Sequence, residues 1–178
     1  MVHSTEHKVW AALAFITFYY FAVVRWKLTQ IYFWPGFFMV LIGAHFPDFD
    51  LDFGTRFHRS PLTHSFIIPS LLFIAYFHGT RDTTVLRLLS MFFMGYASHL
   101  FLDIFPAKAS ILARFLAPFK HYTPGDIRLI PEKWEKPWLI ISGLITLAFA
   151  FALLSLSLPP NWVWDLIRRL LDFFTKSM

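Results

Sequence analysis

Three short clusters of His and Asp interrupt an otherwise oily chain. "GYASHLFLD" (95–103) places His99 and Asp103 four residues apart, on one face of a helix. In apolar surroundings an uncompensated carboxylate is costly, so this pair needs each other, a metal ion or a proton path. "PDFD" puts Asp48 and Asp50 two apart, on one side of an extended chain, and Pro47 disfavours helix at the residue before it. "HRSPLTH" supplies His58 and His64 around a proline turn, and His7 opens the first apolar segment and can point into the same region. Together His7, Asp48, Asp50, His58, His64, His99 and Asp103 offer more nitrogen and oxygen ligands than one tetrahedral zinc uses. The set suits two or three ions bridged by carboxylates. The chain has no cysteine, which removes disulfides, zinc–thiolate sites and cysteine nucleophiles. Zn, Mn, Fe and Mg all remain compatible with the donors.

The elements that must position these residues are apolar. Of 178 residues, 57% are hydrophobic, 20% aromatic and only 15% charged, against about a quarter charged in soluble domains. The expected fold is all-α: one integral membrane domain over 1–178, with about five short transmembrane helices plus interfacial helices. The apolar segments are 9–24, 31–46, 65–78, 88–105 and 138–158. Only the last reaches the roughly 20 residues that cross a bilayer, and the third can be re-entrant instead of spanning. The first lacks a small-residue cleavage site after it and is expected to stay as a helix. Residues 106–137 read as a polar loop carrying a short interfacial helix over 110–119 and a Pro-rich stretch, "KHYTPGDIRLIPEKWEKPW". Residues 161–176 read as an amphipathic interfacial helix capped by Asn161. It has Asp165, Arg168, Arg169 and Asp172 on one face, and Trp162, Leu166, Leu170 and Phe173 on the other.

If all five segments cross, the N-terminus and the loops after the second and fourth share one side. That side holds every histidine except His78. It also carries slightly more Lys and Arg than the other, which leans toward a cytoplasmic site. The net charge of +5 suits anionic lipid headgroups, and no nucleic-acid partner is expected.

The blocks "LIGAHFPDFDLDF", "HRSPLTHS" and "GYASHLFLDIF" resemble the signature blocks of the inner-membrane metal-dependent hydrolase family, some members of which are LexA-regulated. The resemblance covers roughly residues 3–120. More distantly it extends to the zinc-dependent phospholipase C and single-strand nuclease superfamily, helical enzymes with three zinc ions held by His and Asp. It implies zinc at the same seven residues, and a prokaryotic plasma or inner membrane. Two departures fall at the N-terminus. "STEHKVW" has Glu6 between Thr5 and His7 and lacks the glycine that usually follows, so His3 competes with His7 as a ligand.

The expected activity is hydrolysis of a phosphoester in a lipid or other amphiphilic substrate by metal-activated water. An aspartate of the Asp48/Asp50 pair would serve as base as well as ligand. Arg59 would clamp phosphate through its guanidinium fork, with Arg56 and Lys108 nearby. The alternative is a transport or sensing site without hydrolysis, but a transporter usually places its ligands near the midplane among broken helices and repeats. Structural readings fit several other residues. Asp52 suits a helix-ending turn, and His45 a structural or supporting place. Thr63 and Ser98 bond either a ligand or a backbone carbonyl. Glu132 and Glu135 read as solvated loop charges, and the Tyr and Trp near segment ends as interface belts. His78 and His121 carry no role.

Overall fold

The computed structural model describes residues 4–20, 23, 33–53, 61–79, 82–104 and 132–158, with single positions between 161 and 175. Side chains of 4–7, 50–53, 77 and 132–133 are outside that description. Every regular element described is helical: α1 (Ser4–Tyr19), α2 (Phe33–His45), a 3-10 helix (Phe46–Phe53), α3 (Ile67–Gly79), α4 (Thr83–Leu102) and α5 (Glu132–Leu156). The expected interfacial helix over 110–119 lies outside the described residues. Toward the C-terminus, 164, 165, 167, 168, 171, 172 and 175 are helical and exposed. The backbone N–H of Asp165 bonds the Asn161 carbonyl at 3.0 Å.

α4 is the central helix. It packs most extensively on α2 and α5 and also meets α1. In its apolar window 61% of residues are buried, against 39% for α5, so α5 keeps one outward face of Ile140, Ile141, Leu144 and Phe151. α1 and α2 also present outward apolar stripes, Val9–Leu13–Ile16 and Trp34–Phe38–Ile42. Water would penalise such faces, whereas lipid accepts them.

Two of the five expected spans are long and apolar enough to cross a membrane, α4 with 20 residues and α5 with 23 from Trp134. α1, α2 and α3 have 16, 13 and 13 residues. At about 1.5 Å per residue these three reach only ~20–24 Å, short of a ~30 Å hydrocarbon core. α4 starts five residues before the expected 88, because Asp82 caps it: Asp82 Oδ1 accepts from the N–H groups of Thr84 at 2.8 Å and Val85 at 3.4 Å. Arg87 then lies inside the helix and donates to the Ser157 carbonyl at 3.0 Å. α5 likewise starts at Glu132, so the end of the expected Pro-rich loop is helix despite Pro137, which costs one ladder bond in the second turn.

Helix directions are set by the contacts. Phe15 meets Phe37 and Tyr19 meets Phe33, so α1 and α2 are antiparallel. Arg87 meets Ser157 and Phe101 meets Gly143, so α4 and α5 are antiparallel as well. α2 and α4 run parallel and touch backbone to backbone. A Cβ on Gly43 would clash with the Phe92 carbonyl oxygen, and one on Gly95 with that of Val40. Both glycines are therefore required by close approach. Gly79, at the end of α3, has nothing within 4 Å of such a Cβ.

Gly43→Ala and Gly95→Ala should each lower stability in detergent by about 1–3 kcal/mol, the usual range for overpacking. Gly79→Ala should stay within about 0.5 kcal/mol. Thermal unfolding followed by circular dichroism checks both.

Candidate metal centre

The parallel α2 and α4 finish at the same end of the bundle, and the chain leaving α2 turns back over α4. Pro47 breaks the α-helix as expected, but the chain continues as a 3-10 helix, where an extended stretch was expected. With three residues per turn, Asp48 and Asp50 no longer share a side. Asp48 is buried against α4, while the side chain of Asp50 lies outside the described residues. His64 arrives from the turn before α3. There the buried Ser65 accepts the Ile67 N–H at 3.0 Å and starts the helix. His99 and Asp103 come from the last turn of α4.

The four residues converge. His99 Nε2 lies 3.6 Å from Asp48 Oδ1 and 3.5 Å from Asp103 Oδ2, and His64 Nε2 lies 3.3 Å from the same Asp103 oxygen. Asp48, His64 and His99 can hold a metal ion, each offering a ligand atom within 4.8 Å of the others. His99 is 0% exposed, His64 2%, and Asp48 and Asp103 7% each.

Each imidazole is oriented from behind. His99 Nδ1 donates to the Ala44 carbonyl at 2.7 Å, which can only accept, so Nε2 is the nitrogen turned toward the carboxylates. His64 Nδ1 lies 3.2 Å from the Thr63 hydroxyl, and the Tyr96 hydroxyl donates to the Thr63 carbonyl. Two uses of the cluster differ in their nitrogen-to-oxygen distances. A charge-assisted N–H···O bond closes to about 2.7–2.9 Å. Donors around one tetrahedral ion, with bonds of about 2.0–2.2 Å, stand roughly 3.3–3.6 Å apart. The observed 3.3, 3.5 and 3.6 Å are longer than the first spacing and compatible with the second.

Of the seven expected ligands, the structure brings together Asp48, His64, His99 and Asp103. His58 and Arg59 lie outside the described residues, as do Arg56, Lys108, His3 and His121. So does the side chain of His7, whose backbone is in α1, one turn before the buried Ala11 and Phe15. Extending the α1–α2 pairing sets position 7 level with Ala44–His45, at the site end. His45 itself is exposed at the end of α2, not supporting the centre, and His78 is exposed at the far end of α3. Ser98 bonds the Gly95 carbonyl at 2.7 Å, which settles its role as backbone bonding.

A family model for the YdjM inner membrane protein matches residues 1–171. The chain belongs to the YdjM inner membrane protein family. With its two long apolar helices this makes it a membrane protein, in agreement with the inner-membrane resemblance of its motifs. No curated protein and no solved structure matches.

Three functional features escaped the sequence. The Ala44 carbonyl is backbone, and carries no residue signal. Tyr96, midway along the fourth apolar segment, carried no role in the sequence yet is fully buried, and its place three residues before His99, one turn away, was the available clue. Glu135 reads as a solvated loop charge but is 8% exposed, because the helix starts before it.

Tyr96→Phe removes the hydroxyl that holds Thr63, and with it the bracing of His64. If the cluster holds a divalent ion, its binding should weaken about 10–100-fold, as lost supporting bonds around metal ligands do. Titration against a competing chelator measures this.

Proposed function

We propose that the chain is a membrane-embedded metal-dependent hydrolase of phosphoesters in lipids or other amphiphilic molecules, with zinc as the favoured ion. The observation that carries this reading is the set of three buried donors, Asp48, His64 and His99, from three separate chain segments, with ligand atoms within 4.8 Å of one another and Asp103 beside both imidazoles. The likeness of the motifs to zinc-dependent phospholipases supports the substrate class.

A bound divalent ion supplies a nucleophilic water at neutral pH and charge neutralisation on phosphate. The chain's own contribution is the rest. Asp103 is close to both imidazoles and holds the negative charge that an ion needs. Asp48 has one oxygen toward His99, and as a carboxylate it can take the proton that water loses. Asp50, His58 and His7 would complete a second ion site, and Arg59 would receive the phosphate. All four described donors sit at one end of α4, where an amphiphile's headgroup meets the apolar layer. A transport site would favour the midplane. The lean of Lys and Arg favours a cytoplasmic face.

Elemental mass spectrometry of the detergent-purified protein should find two or three divalent ions per chain. His99→Ala and Asp48→Asn should lose the ion held at Asp48, His64 and His99, while His58→Ala should lower the count by one and leave that ion in place. Phosphate-headgroup release from phospholipid vesicles should vanish with chelator and return with zinc. A well-folded protein holding no metal would sink the reading.

A further inference from the structure

The face of α5 turned toward α4 becomes polar as it nears the metal centre. Glu135, Leu139, Ser142, Thr146, Ala150 and Leu153 succeed one another at steps of three and four residues, and all are buried. The antiparallel register of Arg87 with Ser157 and Phe101 with Gly143 sets their heights. Ser142 is level with the Leu102–Asp103 turn, and Thr146 with Ser98–His99. Glu135 lies beyond the last turn of α4, toward the polar end. Trp138, between them, has its ring 5.6 Å from that of Phe66, two residues after His64.

Ser142 and Thr146 are 0% exposed, and their hydroxyls make no hydrogen bond with any described residue. The same holds for the buried indole nitrogen of Trp138. Serines in apolar helices normally return the hydroxyl to a carbonyl one turn back. Ser90, Ser98, Ser155 and Ser157 all do so here, at 2.7–2.8 Å. Ser142 and Thr146 depart from a habit the same protein keeps four times. A buried hydroxyl left unbonded is costly, and water with two or more polar neighbours removes that cost.

We propose that this stripe is a hydrated seam. Glu135 stands at its mouth, and the Trp138 N–H and the Ser142 and Thr146 hydroxyls hold a file of water between the polar end of the bundle and the level of His99 and Asp103. Its use rests on the hydrolytic reading: each turnover consumes a water and releases a proton, and the centre itself is buried. The seam is a matter of wetness alone, so it is tested without metal or turnover, and its failure is distinct from failure of that reading.

The chain has no cysteine, so single thiols can be placed on an unchanged background. Ser142→Cys and Thr146→Cys are near-isosteric. Leu144→Cys faces outward on the apolar side and Trp134→Cys is exposed at the start of α5. The probe is a cationic, membrane-impermeant trimethylammonium methanethiosulfonate, applied to membranes opened on both sides. It reacts with thiolate, which forms where water reaches. Ser142→Cys and Thr146→Cys should react at least about tenfold faster than Leu144→Cys. Glu135→Leu should slow labelling of Ser142→Cys. If both thiols stay inert while Trp134→Cys reacts, and both label after denaturation in detergent, the seam is dry and the proposal is overturned. A Ser142→Cys rate unchanged by Glu135→Leu would overturn the placing of Glu135 at the mouth.

Discussion

The close approach of α2 and α4 at Gly43 and Gly95 is the contact on which the site depends. Side chains at either position would hold the two backbones apart. With the helices in contact, the Ala44 carbonyl, one residue past Gly43, comes within 2.7 Å of His99, one turn past Gly95. The helices are parallel, so whatever leaves the end of α2 must leave beside the end of α4. The 3-10 helix does so at once and carries Asp48 to His99. Packing and chemistry are thus coupled over a few residues: the two glycines set the distance, and the next turn of each helix supplies the donors.

The second constraint is electrostatic. Two carboxylates and two imidazoles are buried at the end of an apolar bundle, a costly arrangement unless charge is compensated on the spot. A divalent cation held by Asp48, His64 and His99, as proposed above, would compensate the carboxylates. The bonds behind the rings fix their direction: Ala44 engages Nδ1 of His99 and Thr63 that of His64, leaving each Nε2 turned inward. Tyr96 then ties the His64 segment to α4, so a loop residue gains the rigidity of the central helix.

Much of this was legible in the sequence, for identifiable reasons. His99 and Asp103 were readable because helical spacing of four fixes their shared face whatever the surroundings. His64 was readable from its motif, although nothing local says that it reaches Asp103. Asp48 reaches the cluster through a geometry other than the expected one: an extended PDFD and a 3-10 PDFD both deliver its carboxylate, but only the extended chain aligns Asp50 with it. The spans were harder. Hydropathy sees where apolar residues stop, whereas helices stop where backbone caps allow. Asp82 therefore lengthened α4, and the helix that runs through Pro137 buries Glu135, which a loop would have left solvated. The Gly43–Gly95 contact was invisible because it joins residues about fifty apart through atoms that every residue shares.

The short helices also bear on how such a site can meet an amphiphile. α1, α2 and α3 are each too short to match a full hydrocarbon layer. Were all three to cross as expected, a bilayer around them would have to thin, or their polar flanks to sink toward it. Either adjustment draws the end of the bundle, with its carboxylates and imidazoles, toward the depth where lipid headgroups join their chains. A substrate held there would not have to leave the membrane to bring a phosphate to the donors. The same geometry creates a difficulty, since a centre at that depth is shielded from bulk water by apolar side chains and lipid. A polar stripe on α5, reaching from Glu135 to the level of His99, answers that difficulty with residues that have no evident packing reason to be polar.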